Sequence, residues 1–423
     1  MNKLLPSFNV AGAVIAAVIH TAPVQAAPGI NLEASFAGTN GAAPFAGLTA
    51  AGGDLYYGTV SSGGVQNLGG VFSFQSSSGA IALLASFTGL NGAKPQAALT
   101  LGSDGLYYGT TAEGGANGLG GVFSFDSSIG TITLLDSFTG SNGATPLAAL
   151  TLAGDGQFYG TTAQGGAHGL GSVFAFSSGS IVLKDSFTGG NGSGPRAALT
   201  FAPNGLYYGT TEGGGNGSGV VFSFDPSLNT IGLQASFTGA DLINPWAPLT
   251  RTTGLEFYGT AAYGGPQGNG GIFKFDASNS SGPSITVMDY FDTVDSGRPV
   301  APLTPAGGWL FYGAHTGANG NGSYGGVYEF NSNTESITVL DNFASVSEGS
   351  YPGGALIATA SGLYYGTAWG GGANDQGVIY SFGTGANAAV PGPLPLAGLG
   401  AVFSWSRTLK RRMETRRALP PQG

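Results

Sequence analysis

The chain offers few side chains able to carry a proton near neutral pH. Its three histidines are His20, His168 and His315, and it has no cysteine. Without cysteine there is no disulfide framework, thiolate zinc site or thiol nucleophile. A nucleophile–base pair needs the base within hydrogen-bond reach. His168 lies in Gly166-Ala167-His168-Gly169, whereas His315 follows Phe311-Tyr312-Gly313-Ala314, so the two hold different places in the sequence pattern. No catalytic residue is assigned, and the expectation is that the chain is not an enzyme. The acids have structural explanations. Asp104 and Asp155 precede glycines in turn pairs, and Asp126, Asp225 and Asp276 close short aromatic runs where a carboxylate caps a turn. The spaced acids of a calcium loop are absent, so no metal and no cofactor is expected. Gly118-Leu119-Gly120-Gly121 precedes a strand rather than a helix N-terminus, which removes it as a phosphate cradle.

These residues must be positioned by short strands and tight turns. The 423 residues include 79 glycines and only 8% charged residues, yet 26 Phe and 17 Tyr. Disordered chains lack that aromatic content, and no collagen period is present. Between residues 28 and 389 six basic residues (Lys94, Lys184, Arg196, Arg251, Lys274, Arg298) face 21 acidic ones. An acidic body lacks the cationic footprint that nucleic acid requires.

An aromatic pair followed by Gly recurs seven times, with Thr after the glycine in six copies and Ala314 in the sixth. Tyr56-Tyr57-Gly58-Thr59 and Tyr107-Tyr108-Gly109-Thr110 begin the series, and Tyr364-Tyr365-Gly366-Thr367 ends it. Copies are 49 to 54 residues apart. A full copy holds four strand candidates, in the second copy residues 97–101, 106–111, 122–125 and 131–138. Asp104-Gly105 and Asn204-Gly205 predict tight hairpins with positive φ at both central residues. Four antiparallel strands in about 50 residues is the pattern of a kelch-like propeller blade. The predicted fold is all-β: a seven-bladed propeller over 27–385. Leu32-Glu33-Ala34-Ser35-Phe36 matches the fourth-strand motif, while the seventh copy stops at its third strand. The N-terminal strand is therefore expected to close the last blade and remove two exposed edges.

The ends look like addresses. Residues 1–26 read as a signal peptide: basic Lys3, an apolar run over 10–19, and small residues ahead of a cleavage between Ala26 and Ala27. Residues 386–423 hold Val390-Pro391-Gly392-Pro393, an apolar stretch over 394–405 that could cross a membrane transiently, and Arg407, Lys410, Arg411 and Arg412. This order resembles the PEP-CTERM sorting signal, with Gly392 where that family commonly has glutamate. The resemblance implies an exosortase-type processing enzyme as partner, passage through a bacterial inner membrane, and delivery to the cell surface or extracellular matrix. The repeat itself, Gly-x-Leu-Tyr-Tyr-Gly-Thr-Thr-x-x-Gly-Gly followed by Gly-x-Val-Phe, is similar to the GloVer-type tandem repeat, for which the resemblance implies export but no reaction.

In a propeller the longer connections, between second and third strands and between blades, share one face. A ligand is expected there, the central channel mouth being the second choice. The candidate ligand-face residues are Glu113, Asn117, Asn142, His168, Asn191 and Glu212. The aromatic pairs sit inside strands at one repeat position, which makes them blade core. The main functional expectation is a non-enzymatic structural or adhesive scaffold. The alternatives are a lectin-like propeller binding extracellular polysaccharide, and a polysaccharide hydrolase or lyase. The last would place a clustered set in the irregular sixth copy, around His315, Asp292 and Asp295.

Overall fold

The computed structural model describes residues 29–239, 241–279, 282–292, 297–317 and 323–383. The address segments, with Ala26, Ala27, Val390, Pro391, Gly392, Pro393, Arg407, Lys410, Arg411 and Arg412, lie outside them, as does Asp295. Among the described residues no helix is long and apolar enough to cross a membrane.

The chain is a seven-bladed β-propeller. Blade 2 shows the plan: Thr100–Leu101, Tyr107–Thr111, Gly121–Asp126 and Thr131–Ser137 pair antiparallel in sequence order. Its second and third strands bury nearly every residue, because Phe123 and Phe125 and their counterparts pack between neighbouring sheets. In the seventh blade Asn31–Ser35 pairs with Val378–Gly383, so the first strand closes the ring as predicted. Phe36, immediately after it, is wholly buried among Phe72, Phe74 and Tyr365.

Two local expectations are corrected. The innermost strand of blade 2 is Thr100–Leu101 rather than 97–101. Its upstream carbonyls accept side-chain hydroxyls instead of ladder N–H groups: Thr59 Oγ1 donates to Ala97 O at 2.9 Å and Thr49 Oγ1 to Leu99 O at 2.8 Å. The Asp104-Gly105 turn has positive φ only at Gly105, +87°. Gly105 N bonds Gly102 O, and Gly102 N bonds Leu106 O, so this is a type I turn with a glycine bulge.

The same hydroxyl bonds recur around the axis. The Thr of the Gly-Thr motif donates to the next blade's Ala carbonyl in six blades, through Thr59, Thr110, Thr161, Thr210, Thr260 and Thr367. The inner-strand Thr donates to the next blade's Leu carbonyl in six, through Thr49, Thr100, Thr151, Thr200, Thr250 and Thr304. Blade 6 has Ala314 in the first ring, and blade 7 has Ile357 in the second.

Candidate functional site

Each blade enters its inner strand through a proline: Pro44, Pro95, Pro146, Pro195, Pro245, Pro299 and Pro352. The residue before it has left-handed φ in every blade, from 51° at Lys94 to 63° at Gly194. That conformation aims its N–H at the previous blade's long loop. Seven bonds of 2.8–3.2 Å result, from Ala43 N to Gln376 O through to Tyr351 N to Tyr324 O. The backbone here is thus fixed and repeated, while the side chains are not. The pre-proline residues are Ala43, Lys94, Thr145, Gly194, Asn244, Arg298 and Tyr351. The post-proline residues are Phe45, Gln96, Leu147, Arg196, Trp246, Val300 and Gly353. Because the inner strand runs from the long loops to the short turns, both sets surround the channel mouth on the long-loop face.

On one side of this mouth, blades 4 to 6 bring five side chains into continuous contact. Arg196 Nε pairs with a carboxylate oxygen of Glu212, and its guanidinium lies 5.3 Å from the Trp246 ring centre. Trp246 meets Tyr263 edge-on at 5.6 Å. The Arg298 guanidinium covers the other end of the row, 4.9 Å from the Tyr263 ring centre. Trp246 Nε1 is shielded from solvent with no hydrogen-bond partner among the described residues. On the other side, Tyr351 stacks on Trp369 at 4.6 Å and 16°, and Trp369 on Phe45 at 5.4 Å and 25°. Lys94 pairs with Glu113 at 2.9 Å in blade 2. Three of the six basic residues that the body holds, Lys94, Arg196 and Arg298, therefore stand at proline-flanking positions. The row combines a carboxylate, a phenol, an indole and two guanidiniums, which is a set able to bind and neutralise an anionic ring and to exchange a proton with it.

The predicted residues divide. Glu113 and Glu212 are at the mouth, each in an ion pair. Asn142 and Asn191 build turns: their Oδ1 atoms accept the N–H groups of Thr139 and Thr188 at 2.8 Å, as Asn40 and Asn91 do in earlier blades. Asn117 Nδ2 ties its loop to Phe138 O at 2.8 Å. His168 is exposed at a loop tip. His315 is wholly buried in blade 6. Among the described residues no group of three His, Asp or Glu side chains is placed to hold a metal ion. The aromatic row was missed, although a signal for it was present: the residues flanking each proline differ between copies whose surroundings are nearly constant.

The Gloeobacter/Verrucomicrobia repeat matches residues 23–155, 57–255 and 216–390. The chain belongs to this repeat family. A comparison with curated proteins gives no match. Among solved structures, this Gloeobacter/Verrucomicrobia repeat protein is similar to oligogalacturonate lyase from Vibrio parahaemolyticus. The identity is 10% and the TM-score 0.53, over 82% of this chain and 91% of that one. It is also similar to an ulvan lyase solved with a -[GlcA(1-4)Rha3S]- saccharide, at 11% identity and TM-score 0.52, over 86% and 99% of the two chains. A periplasmic gluconolactonase from Pseudomonas aeruginosa matches at 16% identity and TM-score 0.48, over 78% and 96%. These identities establish likeness of fold. The expectation of a non-enzymatic scaffold, and of a chain that is no enzyme, is corrected to this extent: two propellers of the same fold, matched over more than four-fifths of the chain, are lyases, which points away from a plain scaffold.

Proposed function

We propose that the chain acts on an anionic polysaccharide held across the long-loop mouth of the channel, with elimination as its reaction class. The observation that carries this is the contact row Glu212–Arg196–Trp246–Tyr263–Arg298. Cations are scarce in the body, and their concentration at one mouth matches an anionic ligand. The lyases of the same fold support the substrate class: one is named for oligogalacturonate, and the other holds a glucuronate-containing saccharide. In the reading proposed, Arg298 and Arg196 neutralise the uronate carboxylate and Trp246 supports the ring. Glu212 takes the proton beside the carboxylate, the carbon–oxygen bond to the next sugar breaks as the double bond forms, and Tyr263 protonates the departing oxygen.

Oligogalacturonate and ulvan are the substrates to test, with the ultraviolet absorbance of the unsaturated uronate as the readout. Glu212→Gln and Tyr263→Phe are expected to lower kcat by about 10²–10⁴-fold, the range of one general acid or base. Arg298→Gln is expected to raise KM and to flatten the salt dependence of binding. Reducing ends without the double bond would make the enzyme a hydrolase, and variants as active as the parent would remove this site.

We further infer that the work is done outside the cytoplasm. The signal over 1–26 and the PEP-CTERM-like segment over 386–423, processed by an exosortase-type enzyme, would deliver the propeller to the surface, where such polymers are met. Mass spectrometry of the native C-terminus tests it: an intact Arg412 on released protein contradicts the processing.

A further inference from the structure

The post-proline position carries a side chain in six blades and none in the seventh, where it is Gly353. Its backbone does not require glycine, since its φ lies outside the left-handed region. A Cβ there would stand 3.4 Å from Val300 Cγ2 and 3.9 Å from Trp369 Cδ1, which is ordinary contact. The glycine therefore leaves a notch in the mouth, with Val300 on one side and the edge of Trp369 on the other. Val300 is two residues beyond Arg298, so the notch begins where the cationic row ends.

Beside it stands Tyr351, 44% exposed and at φ +59°. A left-handed conformation costs a residue with a Cβ about 1–2 kcal/mol, and a bulky residue rarely adopts it. All seven pre-proline residues share this conformation, so it belongs to the repeat, and at Tyr351 it places an aromatic side chain at the rim in a position the surroundings over-determine. Here the surroundings are the Tyr351 N–H bond to Tyr324 O at 2.9 Å, the pairing of Ser350 with Gly370 and Pro352 with Ala368, and the stack on Trp369 and Phe45. The stack holds an aromatic face rigid at the rim, at little entropic cost to a ligand that covers it. Blade 4 shows that the fold accepts no side chain at this position, since Gly194 takes it with φ +63°.

We propose that the exposed ring of Tyr351, backed by Trp369 and next to the notch that Gly353 leaves between Val300 and the Trp369 edge, is a second sugar subsite, which stacks one pyranose ring of the anionic polymer beyond the cationic row. It rests on the reading that a polysaccharide crosses this mouth. A pyranose presents C–H faces to an aromatic ring and hydroxyls at its rim, and an aromatic platform with a polar tip suits both. The Arg196–Arg298 row fixes charge, and the notch adds length, so the polymer runs from blades 4–6 toward blades 7 and 1.

The test is calorimetric binding of oligogalacturonates of defined length to the full propeller. The parent is expected to gain affinity from trimers to hexamers. Tyr351→Gly, which copies blade 4, and Gly353→Leu, which fills the notch, are expected to bind trimers as the parent does and to lose about tenfold, or ~1.4 kcal/mol, with hexamers. Arg298→Gln is expected to weaken both lengths. If Arg298→Gln weakens both while Tyr351→Gly and Gly353→Leu bind hexamers like the parent, the subsite is wrong and the cationic site stands. If the parent binds no oligogalacturonate, or Arg298→Gln changes nothing, the underlying reading falls and the subsite with it. Unchanged thermal unfolding of Tyr351→Gly would separate a binding loss from a folding one.

Discussion

His315 occupies the place that Thr111, Thr162 and Thr211 hold in blades 2 to 4, and it is wholly buried. Among the described residues no well-formed hydrogen bond reaches either ring nitrogen, Tyr328 Oη or Asn342 Oδ1, although the Asn342 side chain lies close enough to act on the imidazole. Burial pulls the imidazole down from 6.5 to about 4, against a weaker opposite pull from Asn342. The unfolded chain therefore takes up a proton between pH 6.5 and about 4 that the folded chain refuses. Stability from this group is complete above the unfolded value and is lost as pH falls through that window, by on the order of 3 kcal/mol. His315→Thr should abolish that loss. Thermal unfolding of parent and variant across this window checks it, and parallel curves would show that the histidine is solvated. That His315 is packed follows from its place as the last residue of a second strand, Leu310–His315. That three polar groups meet there did not follow, because Tyr328 and Asn342 are remote in sequence and each looks like an ordinary substitution for Phe or Ser.

At the scale of the strand and blade, side-chain bonds join sheets that share no ladder. The fourth strand adds a third kind to the two threonine rings. Asp136, Asp185, Asp289 and Asp341 each accept the N–H of an isoleucine in the following blade, Ile181, Ile231, Ile337 and Ile30, at 2.7 Å. Asp185→Ala leaves the Ile231 N–H without its charged acceptor and should cost about 1–3 kcal/mol. Ala314→Thr restores the missing donor of the first threonine ring and should add roughly 1 kcal/mol by pairing the Gly354 carbonyl. Chemical denaturation at constant slope measures both, and a destabilised Ala314→Thr would mean that this blade interface cannot accept the hydroxyl. The strands themselves were legible: alternation in Val122-Phe123-Ser124-Phe125 and the glycine turns give their number and order. What the sequence hid is why Thr follows Gly in the motif, since its partner carbonyl lies 36 to 41 residues ahead. The proline-flanking site was hidden for a similar reason. Arg196, Trp246, Tyr263 and Arg298 look unrelated until the ring sets their blades side by side.

Across the whole molecule, closure depends on one five-residue strand. Asn31–Ser35 supplies the outer strand of blade 7, and its neighbours are otherwise the ends of the chain's repeat array. It is held by the ladder to Val378–Gly383, by Asp341 accepting Ile30 N from blade 6, by Ser381 Oγ donating to Glu33 Oε1, and by Phe36 in the core. That this strand would close the ring was legible because its Ala-Ser-Phe motif belongs to a fourth strand and the seventh copy lacks one. Removal of residues 29–36 leaves Val378–Gly383 as an unpaired edge and empties the space of Phe36. An open edge recruits another chain, and loss of a buried Phe alone costs about 3–5 kcal/mol. The truncated protein is therefore expected to melt well below the parent and to associate, as light scattering would register. A synthetic peptide spanning 29–40 should restore both the monomer and the melting temperature, because the groove it enters is otherwise complete. A truncated chain that stayed monomeric with an unchanged melting temperature would mean that the ring is closed by inter-blade packing rather than by this strand. The mouth would then keep its geometry too, since Tyr351 and Trp369 in blade 7 and Phe45 in blade 1 meet across that same junction. Binding of long oligosaccharides by the truncated and peptide-restored forms thus reports whether the closing strand also holds the two halves of the site together.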